Sequence, residues 1–187
     1  SPLTARAAAR SGAEPDELPD EIGIGEPTAA ETVIAYAAFG CSHCATWHVT
    51  VFPAFRAKYV DTGRVRFVVR EMATVDMYVS YSGPILARAF GEERYFDIMG
   101  QVFKAVHDAG PDLDGPELMR AIALDLGMDE ETYVSVVEKQ GALRIADARM
   151  LRNRLLFDPP GAPTFLIRGR PFVGQQSMAQ LDAALRA

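Results

Sequence analysis

Cys41 and Cys44 are the only cysteines in a chain of 187 residues, and just two residues, Ser42 and His43, separate them. A disulfide this local closes a tiny loop and adds little to stability by restricting the unfolded chain. A scaffold stapled by disulfides would spread more cysteines along its length. The pair therefore points to chemistry rather than to architecture. Gly40 precedes it, and a helical pattern follows in which His48, Val51, Phe52, Phe55 and Tyr59 recur at three- and four-residue spacing. This puts Cys41 at a helix N-terminus and Cys44 one turn inside on the same face, within the separation a disulfide needs. Free N–H groups and the positive end of the helix dipole then favour a thiolate at Cys41, and the thiolate is the nucleophile. His43 adds an imidazole beside it. Cys41 is expected to be the exposed, reacting sulfur and Cys44 the shielded, resolving one.

A zinc site is the competing use of the same atoms. Cys41, Cys44 and His48 could supply three ligands and the distant His107 a fourth. Zinc sites usually close with a second tight ligand pair, which the sequence lacks. His48 is expected to pack on its helix, His107 to lie at the surface, and Trp47 to be a core or groove aromatic.

The elements that must hold the pair are legible around it. Thr32 to Phe39 is a nearly continuous apolar run with β-branched residues, as expected of a buried central strand. Glu21 to Gly25 suits a short edge strand. Val65 to Arg70 reads as a strand in which Val65, Phe67 and Val69 alternate with Arg66, Val68 and Arg70. Pro53 should kink the helix after the pair. From about 75 to 157 the pattern is helical throughout, with an apolar stripe at Tyr95, Phe96, Met99, Val102, Phe103 and Val106. Gly127 looks like a C-cap and Asp129 like an N-cap. Four or five helices are expected there, the last from about Lys139 to Leu156. Thr164 to Ile167 and Pro171 to Val173 then form a hairpin around Arg168-Gly169-Arg170, and Met178 to Leu185 a closing helix. The fold class is α/β: a mixed central sheet with flanking helices and a large all-helical insertion, occupying 20–187 behind a flexible tail at 1–19.

Composition narrows the function classes. Apolar residues make up 49% of the chain, enough for a real core. The net charge of -6 argues against a nucleic-acid partner. No apolar run approaches the roughly 18 residues of a membrane span, and the N-terminus lacks the apolar stretch of a signal peptide.

The combination of motifs resembles the DsbA-like branch of the thioredoxin superfamily, from about Thr32 to Leu185. Cys41-Ser42-His43-Cys44 is similar to that family's usual Cys-Pro-His-Cys. Cys44 to His48 and Val51 to Phe55 resemble its first helix, kinking proline included, and Gly161-Ala162-Pro163-Thr164-Phe165 resembles its cis-proline strand. The resemblance implies a protein disulfide oxidoreductase that needs no cofactor or metal. Cys41 would take the mixed disulfide, Cys44 would resolve it, and His43 would stabilise the thiolate. Ala162 and a cis Pro163 would line the groove that holds an extended client. The implied partners are unfolded or partly folded proteins and a DsbB-like membrane oxidase for recharging. The implied location is the bacterial periplasm, with any signal sequence removed, and the implied state is a monomer.

Two departures bear on the redox potential. Ser42 replaces the usual proline. Ala35 stands where many relatives keep a buried acid; its face of the strand, shared with Ala37 and Phe39, should lie under the pair. Glu71 is a weak substitute for that acid and reads more simply as a solvated surface carboxylate. The alternatives to disulfide donation are an isomerase or reductase of the same fold, or a binding or chaperone module that retains the pair. Isomerases of the superfamily usually oligomerise through an added N-terminal domain, for which the residues before Thr32 look too short and polar.

Overall fold

The computed structural model describes residues 17–74 and 76–186. Five strands form one mixed sheet: β1 (Gly23–Ile24), β2 (Glu31–Ala37), β3 (Val65–Glu71), β4 (Thr164–Ile167) and β5 (Arg170–Val173), in the spatial order β1-β3-β2-β4-β5. β2 runs parallel to β3 and antiparallel to β4, with Ala35 opposite Val69 on one side and Phe165 on the other. β2 is thus the middle strand. Its apolar run follows from having both faces covered, which leaves no position for an alternating polar residue.

β3 is covered on both faces too, and this corrects the alternating reading of 65–70. Val68 is as buried as Phe67, and Arg70 is only 1% exposed. Such a cation persists inside because it is paired: Arg70 donates to Glu21 and to the Tyr36 hydroxyl. Glu71 is likewise no solvated surface acid. At 1% exposure, its carboxylate accepts from Arg88, Arg149 and the Tyr95 hydroxyl, and its backbone carbonyl accepts from Asn153.

Helix α1 (Ser42–Thr50) follows β2, and α2 (Phe52–Phe55) continues it into a π-helical turn at Arg56–Val60. Pro53 has no N–H for the Val49 carbonyl, so the helix breaks at Val51, just before the proline. Five helices fill the segment between β3 and β4: α3 (Met77–Ala89), α4 (Glu92–Ala109), α5 (Gly115–Asp125), α6 (Glu130–Val136) and α7 (Gln140–Leu156). All six stripe residues of α4 are buried, and α4 packs along α1. Asp129 caps α6 by accepting from the Thr132 N–H, and Gly127 takes a left-handed φ of 87° just beyond α5. α8 (Met178–Arg186) closes the chain.

Glu17 and Leu18, within the segment 1–19 assigned to a flexible tail, are tied to the rest of the fold. Glu17 pairs with Arg66, and the Leu18 N–H donates to Glu21. Residues 1–16 of that tail lie outside the described residues.

Candidate functional site

Cys41 sits between the end of β2 and the start of α1, in extended backbone at φ -93° and ψ 116°. It is the N-cap of the helix: its Sγ accepts the Cys44 N–H at 3.3 Å, as a serine or aspartate oxygen usually does. Gly40 makes the approach possible. A Cβ there would lie 2.4 Å from the Asp76 carbonyl oxygen, so the turn that delivers Cys41 tolerates no side chain. Asp76 is itself the N-cap of α3, accepting from Val79 N–H, so the start of the helical insertion packs directly against the turn.

The loop before β4 completes the site. The Ala162–Pro163 peptide is cis, and the Cys41 thiol donates to the Ala162 carbonyl at 3.6 Å. Thr164 Oγ1 anchors the loop through Gly161 O, and the Gly174 N–H holds Pro163 O at 2.8 Å. Behind the pair, Trp47 donates its indole N–H to Gln176 O and packs against Phe52, Phe55, Phe67 and Phe165. Truncating such a side chain to alanine costs about 3–5 kcal/mol, so this cluster fixes the helix on the sheet.

Both thiols are free, and their surroundings drive them apart. Cys41 is lowered from an ordinary value of 9.0 to about 6. The main cause is a hydrogen bond from the Cys44 side chain; the Cys44 and His43 backbone N–H groups add to it, burial opposes it, and the His43 charge contributes least. Cys44 is pushed well above its ordinary value, first by burial and then by its bond to Cys41. At neutral pH the arrangement offers one thiolate nucleophile and one protected thiol beside it. Sequence spacing placed the pair correctly, but Cys41 is only 9% exposed, not an open sulfur, because the loop of Ala162 lies over it. Cys44 is 2% exposed.

The other residues singled out from sequence fall in several places. His43 is exposed, and its Nδ1 meets Gln175 Nε2 at 3.2 Å. Ala162 is partly buried and Pro163 buried, both against the pair. Ala35 does lie beneath it: Ala35, Ala37, Cys44, His48 and Pro163 share the wall of one small cavity of about 10 Å³. Glu71 is committed to Arg88, Arg149 and Tyr95. His107 is exposed and meets Thr46 Oγ1. Among the described residues, no group of three or more His, Cys, Asp or Glu side chains gathers as a metal site.

Sequence reasoning overlooked Gln175 and the position of His48. Gln175 carries no local signal, being 132 residues from His43. His48 did carry one, since it follows Cys44 by four residues and so shares its helix face.

Comparison with known proteins agrees with this geometry. A relative in Rickettsia conorii, named as a protein-disulfide oxidoreductase, is 27% identical over 153 residues, covering 80% of this chain and 54% of the relative. This chain thus spans about half the length of that relative. Among solved structures, alpha-DsbA1 of Wolbachia pipientis has a TM-score of 0.78 at 20% identity, covering 91% of each chain. A protein-disulfide isomerase from Novosphingobium aromaticivorans has a TM-score of 0.71 at 16% identity, covering 94% of this chain and all of that one. These likenesses place the thioredoxin fold with its helical insertion, and a family profile described as thioredoxin matches residues 17–187, so the chain belongs to the thioredoxin family.

Proposed function

We propose that this protein is a thiol-disulfide oxidoreductase that donates the Cys41–Cys44 disulfide to folding client proteins. The observation that carries the reading is the split pair at the start of α1: Cys41 held at about 6, Cys44 held well above its ordinary value, both under the Ala162–Pro163 loop. The naming of the Rickettsia relatives as protein-disulfide oxidoreductases supports it.

In this reading a client thiolate attacks Cys41 Sγ of the oxidised pair. The Cys41–Cys44 bond breaks, and Cys44 leaves with the electron pair and takes up a proton. A second client thiolate attacks the client sulfur of the mixed disulfide, forming the client disulfide and releasing Cys41 as thiolate. The client loses two electrons and the pair gains them. A thiolate of low pKa leaves readily, which suits Cys41 to this last step. Ala162 and Pro163 offer an extended client a backbone edge beside the sulfur, in the manner of strand addition. His43, held by Gln175, lies at the rim of this site. Recharging requires an oxidant, for which a DsbB-like membrane oxidase in a periplasmic setting is the fitting class. No helix among the described residues is long and apolar enough to cross a membrane.

The test uses reduced, unfolded ribonuclease and insulin in parallel. The oxidised protein should restore ribonuclease activity and Cys41→Ser should abolish this, while the Cys41 thiolate of Cys44→Ser should attack an insulin disulfide and, with no second cysteine to resolve it, stay joined to that chain as a mixed disulfide. Insulin reduction without ribonuclease oxidation would identify a reductase instead.

A further inference from the structure

We propose that His48 carries the proton of Cys44, linking that buried thiol to solvent through a groove between α1 and α4. The inference rests on the reading of the pair as a redox centre. Closing the Cys41–Cys44 bond strips a proton from Cys44 and opening it returns one, yet Cys44 is 2% exposed and Ala35 offers no acid beneath it.

His48 is the residue that faces both sides. Its ring lines the internal cavity shared by Cys44, Ala35 and Pro163. The same ring lines an open groove walled by Pro53, Arg56, Phe96, Asp97 and Lys104. It is stacked on Phe52 and lies tilted against Phe103, with centroids 4.5 Å and 5.0 Å away. Among the described residues it makes no hydrogen bond to protein, which leaves its nitrogens free for water. The cavity, at about 10 Å³, is at the size that admits a single water, and Cys44 and His48 are its polar walls. The charged groups near the ring are Arg56 and, on α4, Asp97 and Lys104; the strands give the cavity only apolar side chains. Burial and the Arg56 charge hold the ring's pKa down to about 4, so it is neutral at working pH, with one nitrogen able to accept and the other able to donate.

When Cys44 resolves a mixed disulfide, its S–H proton passes to one ring nitrogen, directly or through one water. The other ring nitrogen releases its proton to the groove. The Cys44 sulfur attacks Cys41, the Cys41–Cys44 bond forms, and the partner leaves as a thiolate. In the donating direction the proton runs the opposite way.

The experiment follows the reduced protein reacting with glutathione disulfide, quenched with acid and resolved by mass. The first phase forms the Cys41–glutathione mixed disulfide; the second closes the Cys41–Cys44 disulfide. His48→Phe keeps the ring stack and removes the nitrogens. It should leave the first phase and the Cys41 titration unchanged and slow the second several-fold near neutral pH, less than the gain from a base matched to the working pH because the ring is held near 4. The variant's second phase should climb with pH toward the wild-type rate, as hydroxide replaces the missing carrier. His48→Gln, polar but unable to pass a proton, should behave the same way and serves if the phenylalanine variant does not fold. Equal second-phase rates across pH in wild type and the folded variant overturn the role of His48 alone. A wild type that forms no mixed disulfide overturns the redox reading and this inference with it.

Discussion

The depressed Cys41 pKa makes the stability of the reduced protein depend on pH, with a size that can be worked out. The group titrates at about 6 when folded against an ordinary 9.0 when unfolded. Because the folded value is the lower one, its contribution is complete above the unfolded pKa and is lost as pH falls through the folded pKa. Each pH-unit difference is worth about 1.36 kcal/mol. Between these two limits the thiolate contributes about 1 kcal/mol at pH 7 and about 3 at pH 8, and it has all but vanished at pH 5. His48 acts in the same direction: its folded value of about 4 lies below an ordinary 6.5, so acid favours the unfolded chain here too. The clean measurement is therefore a difference. Reduced wild type and reduced Cys41→Ser, whose hydroxyl keeps the helix cap without titrating, are unfolded in urea at several pH values. Wild type should gain about 3 kcal/mol on the variant between pH 5 and pH 8. Thiolate absorbance of the folded protein should turn over near pH 6. Parallel stability curves, or a titration near 9, would refute the argument that the cap holds the charge.

Two further substitutions test the surroundings. Ala35→Glu puts a carboxylate under the pair, so the Cys41 pKa should rise by charge repulsion and mixed-disulfide resolution near neutral pH should quicken; the unpartnered buried acid should cost several kcal/mol of stability in urea unfolding. Glu71→Gln strands Arg88 and Arg149 in the interior, so unfolding should become easier by about 3–5 kcal/mol while the Cys41 titration stays in place.

What the sequence disclosed and what it hid divide along chain distance. The strand, the pair and the helix after it are local: Gly40, the three-residue spacing and Pro53 act within one turn, and each did what its type dictates. The stripe on α4 is equally legible, because helical period needs no knowledge of the partner. Glu71 was misread because the residues that bury it, Arg88 and Arg149, are 17 and 78 positions away. A lone glutamate after a strand looks solvated until those helices fold over it. Arg70 was similarly obscured, with Glu21 lying 49 residues upstream. Cys41 appeared open because its cover, Ala162, comes 121 residues later.

The two thiols also fix how the potential must move with pH, whatever its absolute value. Reducing the disulfide adds two electrons, and the number of protons taken up depends on which sulfurs bind one. Cys44, held well above its ordinary value, takes a proton throughout the neutral range. Cys41 takes one only below about 6. Below that pH the reaction consumes two protons and two electrons, and the potential should fall by about 59 mV per pH unit; above it one proton is consumed, and the slope should halve to about 30 mV. A peptide dithiol with both groups at ordinary values would show no such break until alkaline pH. At pH 7 the Cys41 thiolate's advantage of about 1 kcal/mol corresponds to a potential roughly 20–30 mV higher than that peptide's. Equilibration with glutathione between pH 5 and pH 8, read by the Trp47 fluorescence beside the pair, gives the slope directly. A single slope of about 59 mV across that range would mean that Cys41 keeps its proton. The cap, the burial of Cys44 and the missing acid at Ala35 would then not set the chemistry of the pair.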